Sequence, residues 1–153
     1  MLFSLGEVMD RTDKKILELL QSNCQISNQD LAELVALSPS SCLRRVKLLE
    51  EQGYIKKHVA LLDPKKLGLN LTVIVLVGLN NHQPAIMREF EEKVRFLPEV
   101  VQCYLITGQS ADYLLKITVP DLNAYQLFLL GKLTCLNGVD SVHSSFILRD
   151  ICE

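Results

Sequence analysis

The stretch that decides the fold covers residues 27–58 and reads SNQDLAELVALSPSSCLRRVKLLEEQGYIKKH. It predicts two short helices joined by a tight turn. Ser27 and Asp30 have the spacing of a helix N-cap and an acidic third residue. Ser38, followed by proline, predicts a second helix start, and Gly53 predicts where that helix ends. Two helices joined in this way form a helix-turn-helix, whose second helix can enter a DNA major groove.

The second predicted helix has an apolar face and a basic face. At about 100° per residue, Cys42, Val46 and Leu49 share the apolar face. Arginine can donate two hydrogen bonds to guanine, whereas serine and lysine suit phosphates or base edges. The opposite face therefore predicts a DNA-reading surface, and an ordinary solvated helix pair with outward charges is the alternative. The candidate DNA contacts, including two lysines beyond the helix, are Ser38, Ser40, Ser41, Arg44, Arg45, Lys47, Lys56 and Lys57.

Flanking segments extend this motif into a small domain. Asp10 and Asp13 have the spacing of an N-cap and its partner, which predicts a first helix ahead of the motif. The side chains of residues 54–59 (YIKKHV) alternate in a way that predicts a strand or wing, whose lysines can reach the phosphate backbone. The sequence therefore predicts a winged helix-turn-helix domain over residues 9–61.

Composition limits the class of protein. The chain has 153 residues and a formal net charge of −2, which alone would argue against nucleic acid. Between Ser38 and His58, however, five lysines and arginines stand against two glutamates, so the local surface is positive. The five cysteines are odd in number and form no CxxC pair, which fits free thiols in a reducing cytoplasm. No apolar run reaches transmembrane length, and the histidines lack metal-ligand spacing, so neither a membrane nor a metal or other cofactor is expected.

The order of predicted strands and helices in the second half of the chain is typical of an α+β domain. Residues 62–70 (LDPKKLGLN) carry turn residues and predict a linker. Strands are predicted at residues 71–79, 100–107, 113–119 and 139–148, with helices beginning at Pro84 and after Asp121. The order βαββαβ predicts a ferredoxin-like sandwich over residues 71–153, with two helices on one face of an antiparallel sheet.

The first of these strands predicts self-association. Every residue from Val73 to Val77 is apolar, so both faces of the strand favour burial. The two helices can cover only one face of the sheet. A second copy of the chain is the simplest cover for the other face, so we expect a homodimer.

Four segments resemble one known family over almost the whole chain. They are MDRTDKKILELLQ (9–21), LSPSSCLRRVKLLEEQGYI (37–55), TGQSADYLLKITVPDLNAY (107–125) and LNGVDSVHSSFIL (136–148). In this order they resemble the Lrp/AsnC (leucine-responsive, feast/famine) transcription regulators of bacteria and archaea. The resemblance implies binding to double-stranded promoter DNA, dimers that assemble further, often to octamers, and an amino-acid effector near the dimer–dimer contact. It implies an effector site made from Leu105, Gly108, Gln109, Ser110, Asp112, Ser145 and Phe146.

The chemistry of the loop at residues 108–112 is compatible with such a ligand. Gly108 permits a backbone conformation in which successive amides face one point and can hold an α-carboxylate. Asp112 can accept a hydrogen bond from an α-ammonium group. The alternative is a plain turn in which Asp112 caps a neighbouring backbone amide.

The chain departs from the family pattern at two places. Ala36 stands in the turn between the two helices, where members of the family commonly have glycine. If this position needs a positive φ, alanine costs on the order of 1 kcal/mol. The loop TGQSADY also is one residue longer than the common form, which bears on the identity of the effector.

Two other functions compete with the amino-acid-sensing regulator. Some proteins that resemble this family are sirohaem decarboxylases, which hold a tetrapyrrole and use histidine. The isolated histidines and the basic second helix argue against that enzyme. The other candidate is a regulator that bridges DNA and binds no small molecule.

Overall fold

The computed structural model describes residues 9–108 and 110–151, and the chain divides between Leu61 and Leu62 into two compact units. The first unit contains the helices α1 (Arg11–Ser22), α2 (Asn28–Leu34) and α3 (Pro39–Glu51). The second contains β1 (Leu71–Leu79), α4 (Pro84–Arg95), β2 (Val100–Leu105), β3 (Tyr113–Val119), α5 (Leu122–Gly131) and β4 (Val139–Phe146). Short 3₁₀ turns cover Lys65–Leu67, within the predicted linker, and Leu133–Cys135.

Polar caps begin the helices of the first unit where the sequence predicts them. The Asp10 carboxylate accepts a hydrogen bond from the Asp13 backbone N–H at 2.8 Å, and the Asp13 carboxylate accepts one from the Asp10 N–H at 3.1 Å. This reciprocal pair is a complete capping box at the start of α1. The Ser38 hydroxyl likewise accepts the Ser41 N–H at the start of α3.

A small apolar core joins the three helices. Its buried residues are Ile16, Leu31, Ala32, Cys42 and Leu49. Val46 packs against this core from α3, so the apolar face of that helix is the one predicted. Burial raises the pKa of the Cys42 thiol, which fits a cysteine that serves packing.

The turn between α2 and α3 holds a non-glycine residue in the left-handed region. Ala36 has a φ of 54°, whereas glycine is the residue that adopts such angles without a steric penalty. Its N–H donates to the Glu33 carbonyl, and the next N–H donates to the Ala32 carbonyl, so the turn is fixed by backbone hydrogen bonds. Alanine therefore adopts the conformation of the turn at a steric cost.

Ala36→Gly is expected to stabilise the first unit. Relief of about 1–2 kcal/mol of left-handed strain is partly offset by about 0.4–1 kcal/mol from the freer unfolded chain. Denaturant unfolding followed by helical circular dichroism measures the difference. Ala32→Gly, a buried helical position in α2, is the control and should destabilise the unit. If Ala36→Gly and Ala32→Gly lose equal free energy of unfolding, the strain at Ala36 is contradicted.

Residues 54–59, predicted as a strand or wing, form no strand in the described part of the chain. Residues 55–63 are irregular and residue 54 is a bend. A strand needs a neighbouring strand to complete its hydrogen bonds, and residues 9–61 contain none. The segment stays open, with Tyr54 and Val59 about half exposed and Leu61 94% exposed.

The second unit is one four-stranded antiparallel sheet in the order β2-β3-β1-β4. The predicted βαββαβ order is confirmed, although β2 and β4 each end two residues earlier than predicted. One face of the sheet packs on α4 and α5. The buried core contributed by the sheet and helices is Val73, Val75, Val77, Leu79, Phe90, Val94, Tyr113, Leu115, Ile117, Val119, Tyr125, Phe128 and Leu133.

The opposite face of the sheet has no covering element among the described residues. Ile74 and Leu76 alternate with the buried valines of β1 and are only half-buried. Leu114 and Lys116 lie beside them on β3. The sheet therefore presents a partly apolar open face, and the homodimer inferred from β1 stays a prediction.

None of the helices in the described part of the chain combines the length and the apolar character needed to span a bilayer.

Candidate functional site

The start of α3 concentrates hydroxyl groups at one helix end. The Ser38 hydroxyl lies 2.9 Å from the Ser41 hydroxyl and 3.2 Å from the Ser40 hydroxyl. The Asn28 side-chain amide donates to the Pro39 carbonyl at 2.8 Å, which fixes the start of α2 against the start of α3. Three of the predicted DNA contacts are thus gathered at a helix N-terminus, a position that favours anions.

Exposed cations continue this surface along the chain. Arg44 and Lys47 are exposed on α3, and Lys56 and Lys57 are exposed in the irregular segment after it. None of the four forms a salt bridge within residues 9–108 and 110–151. Their charges are therefore available to phosphates or base edges.

Arg45 differs from the other predicted DNA contacts. Its Nη1 donates to the Asp10 carboxylate and to the Asp13 carboxylate, each at 2.7 Å. Its side chain is only 28% exposed. The two carboxylates, Asp13 first, raise the pKa of the guanidinium, while the Asp13 N–H and then Arg45 lower the pKa of Asp10. Arg45 as a DNA contact stays a prediction, although its Nη1 bonds within the domain.

The loop between β2 and β3, residues 106–112, contains an exposed glycine with a positive φ. Gly108 has a φ of 91°, as the amide-nest hypothesis requires. Apart from its chain neighbours, no atom of residues 9–108 and 110–151 lies within 4 Å of the place where a Cβ would stand. Ser110 is exposed, and Gln109 lies outside the described residues.

Asp112 anchors the end of this loop to the sheet. One carboxylate oxygen accepts the Leu79 backbone N–H at 2.7 Å, and the other lies 2.7 Å from Nε2 of His82. Its own N–H donates to the Val77 carbonyl at 2.9 Å. Asp112 therefore caps a backbone amide, as the alternative interpretation of this loop predicted. Its second carboxylate oxygen contacts His82.

The other predicted effector residues do not converge with this loop in one chain. Ser145 and Phe146 pair with Ile74 and Val73, about four residues or 13 Å along β1 from the level of the loop. Phe146 lies on the helix-covered face, where its ring meets Tyr125 edge-on, and Ser145 lies on the open face. Leu105 is 61% exposed at the end of β2. The expectation that Ser145 and Phe146 lie near the loop is wrong within a single chain.

For two predicted residues, Asp112 and Arg45, the sequence did not indicate partners that are distant in the chain. His82 stands 30 positions from Asp112, and Asp10 stands 35 from Arg45. Neither pair has a motif spacing. The available signal is topological for His82, since the end of β1 and the β2–β3 loop meet at the same end of an antiparallel sheet.

Comparisons with known families agree with both halves of the chain. Residues 72–153 match the family model described as the Lrp/AsnC ligand binding domain. Residues 9–56 match the model described as winged helix-turn-helix DNA-binding.

Curated relatives and solved structures are similar over nearly the whole length. The leucine-responsive regulatory proteins of Klebsiella pneumoniae and Escherichia coli K12 are 40% identical over 146 residues, covering 95% of this chain and 88% of the relative. A Neisseria meningitidis transcriptional regulator in complex with L-Met is 40% identical, with a TM-score of 0.91 over 95% of this chain and 94% of that one. An AsnC-family regulator from Agrobacterium tumefaciens is 39% identical, with a TM-score of 0.88 over the same shares.

Proposed function

This chain belongs to the Lrp/AsnC family of DNA-binding transcription regulators, and from that premise we propose that an amino acid bound by its second unit regulates promoter binding by its first. The observation that supports DNA contact most directly is the exposed basic surface of α3, which begins at a serine-rich helix N-terminus. The ligand-binding family model over the second unit supports the regulatory half of the proposal.

DNA recognition is assigned to α3 and the segment after it. Arg44 is exposed on the helix face opposite Cys42 and Leu49, so it is the residue we expect to read a base. Ser40, Ser41 and Lys47 complete that surface through phosphate or base contacts. Lys56 and Lys57 bind the phosphate backbone, which strengthens binding to any sequence.

Effector binding is assigned to the loop after β2. Backbone amides of this loop are expected to bind the α-carboxylate, because the φ of 91° at Gly108 is the left-handed conformation that such nests use. The Asp112 oxygen now beside His82 accepts the α-ammonium group. Its carboxylate is 21% exposed, so a ligand can reach it. Ser145, Phe146 and Leu105 contribute only if another copy of the chain brings them to the loop.

The effector class we favour is an aliphatic or sulfur-containing amino acid. The Neisseria meningitidis regulator whose structure contains L-Met is 40% identical to this chain over almost its full length. Exposed Leu105 beside the loop offers an apolar surface for such a side chain. L-Methionine and L-leucine are therefore the first ligands to test.

Assembly and cellular location complete the proposal. The open face of the sheet, with half-buried Ile74 and Leu76, supports a homodimer formed through that face. Further association of dimers, to an octamer in the form we favour, brings the effector sites together. A regulator of promoters acts where the DNA is, so we propose a cytoplasmic location. The chain acts as a regulator and not as an enzyme.

Asp112→Asn is expected to abolish most of the thermal stabilisation by L-methionine. Asparagine keeps an oxygen for the Leu79 N–H but has no negative charge for the ammonium group. A ligand at about 100 times its dissociation constant stabilises a folded protein by roughly 2.7 kcal/mol, so the loss is measurable in a thermal-shift assay.

Asp121→Asn is the matched control for that charge change. Asp121 caps α5 by accepting the Ala124 N–H at 2.8 Å, and asparagine caps helices equally well. The control should keep the full ligand shift. If Asp112→Asn also keeps it, the effector site is elsewhere. If none of the standard amino acids shifts the wild type while DNA binding persists, the effector-independent bridging regulator replaces this proposal.

A further inference from the structure

Four hydrogen bonds form one closed network at the start of α1, and two of them join it to Arg45 in the middle of α3. Each carboxylate of the α1 capping box uses one oxygen for the cap and the other for Arg45. Asp10 Oδ1 accepts the Asp13 N–H, and Asp10 Oδ2 accepts Arg45 Nη1. Asp13 Oδ2 accepts the Asp10 N–H, and Asp13 Oδ1 accepts the same Nη1. The same two carboxylates therefore cap α1 and bind α3.

The network is held by charge as well as by geometry. The two carboxylates carry two negative charges, and Arg45 supplies one positive charge between them. The Asp13 side chain is only 17% exposed, so this contact is partly shielded from water. Because a guanidinium nitrogen of the Nη type carries two hydrogens, both hydrogens of Nη1 are used by these acceptors.

We propose that Arg45 is a positioning residue for DNA recognition, which holds α3 against the start of α1 so that Ser40, Ser41 and Arg44 meet the DNA together. The cluster of Asp10, Asp13 and Arg45 has a net charge of −1, from two acids and one base. A phosphate that approached Arg45 would also approach both acids. Arg45 therefore acts through α3 and contributes no phosphate contact of its own.

Positioning and phosphate binding leave different signatures. A lost phosphate contact weakens binding to every sequence and lowers the slope of log affinity against log salt by about 0.9. A misplaced recognition helix weakens selected sites more than random ones and leaves that slope unchanged, because the number of phosphate contacts stays the same.

The test uses the full-length protein with two duplexes, one selected from a random pool by the wild type and one unrelated. Fluorescence anisotropy over a salt series measures both affinities and both slopes for Arg45→Gln. We expect the ratio of specific to non-specific affinity to fall by about 5- to 150-fold, the discrimination that one good bidentate base contact supplies. The salt slope should equal that of the wild type. Arg45→Lys, which keeps the charge, should recover part of the ratio.

The double variant Asp10→Asn with Asp13→Asn provides the opposite electrostatic change. It keeps amide oxygens for the helix cap, removes two negative charges and releases Arg45. If Arg45 positions α3, the double variant should show a lower ratio of specific to non-specific affinity, although its domain is more positively charged. If Arg45 instead binds DNA, the released side chain raises affinity for both duplexes alike.

Circular dichroism at the assay temperature shows whether each variant is folded. If Arg45→Gln is unfolded, the affinity ratio of the double variant or of Arg45→Lys tests the positioning role instead. An unchanged affinity ratio in folded variants overturns the proposal, as does a salt slope lowered by about 0.9 in Arg45→Gln. The proposal rests on sequence-specific DNA binding by the first unit. Failure of the wild type to enrich any duplex would refute that premise, a result distinct from failure of the Arg45 assignment.

Discussion

Ile74→Asp is expected to separate the protein into folded subunits, whereas Val75→Asp is expected to unfold the second unit. The two residues are neighbours on β1 but lie on opposite faces of the sheet. Val75 is 0% exposed in the core beneath α4 and α5, where an aspartate has no partner for its charge. Ile74 is half-buried on the open face, where an aspartate is hydrated in a single subunit and becomes unpaired only in a dimer.

Light scattering and far-ultraviolet circular dichroism separate these two outcomes. Burying an unpaired carboxylate costs at least about 3–5 kcal/mol. Dissociation of Ile74→Asp and unfolding of Val75→Asp should therefore each be complete and not partial. Gln126→Asp adds the same charge at an exposed position of α5 and should leave fold and assembly unchanged. A wild type that is monomeric at micromolar concentration would contradict the dimer, as would unfolding of Ile74→Asp.

Arg44→Ala is expected to weaken binding to a selected duplex by about 1–3 kcal/mol and to relax preference at one base position. Arg44 is exposed on α3 and forms no salt bridge within the described residues, so its guanidinium is free to donate to a guanine edge. Anisotropy titrations with the selected duplex and its single-base variants measure both effects.

Two kinds of control define what Arg44 contributes. Lys56→Ala and Lys57→Ala should weaken binding to all duplexes and lower the salt slope by about 0.9 per lost phosphate contact. Arg95→Ala removes an exposed positive charge from α4 in the second unit and should leave the selectivity unchanged. Unaltered affinity and base preference in Arg44→Ala would remove that residue from the reading surface.

The parts of this fold that sequence predicts are the parts that depend on neighbours along the chain. Asp10 with Asp13, and Ser38 before proline, cap their helices because capping needs only a short spacing. Comparison with the glycine common in the family singled out Ala36 as a position where a positive φ would carry a cost, and its φ is 54°. The continuous apolar run of β1 predicted burial on both faces, and in the single chain only the face of Val73, Val75 and Val77 is buried, while Ile74 and Leu76 on the other face are half-buried.

Contacts between distant segments could not be predicted from spacing. Arg45 lies on the flank of a basic helix, and only the packing of α1 on α3 brings it to two carboxylates. Asp112 has the chemistry of an ammonium acceptor, yet the fold also places it against Leu79 and His82. Of the strand or wing predicted after Gly53, the strand is absent because a strand requires a hydrogen-bonded partner, and alternation alone does not indicate where that partner is.

Two of the effector residues predicted by resemblance show a further limit of such transfer. Ser145 and Phe146 are adjacent residues of β4, so their side chains point to opposite faces of the sheet. The two side chains therefore cannot line the same pocket within a single chain. If both contact an effector, at least one does so through a neighbouring subunit.

Amino-acid control of DNA binding is tested most directly by titrating the selected duplex with the wild-type protein, with and without each standard amino acid. We expect binding to be salt-dependent and at least one aliphatic or sulfur-containing amino acid to shift the affinity. The expected shift is about 5- to 150-fold, the usual range of coupling between two sites. Asp112→Asn should bind the duplex without effector as the wild type does and should lose that shift. Binding that no amino acid alters, or a protein that binds no duplex, would contradict the account.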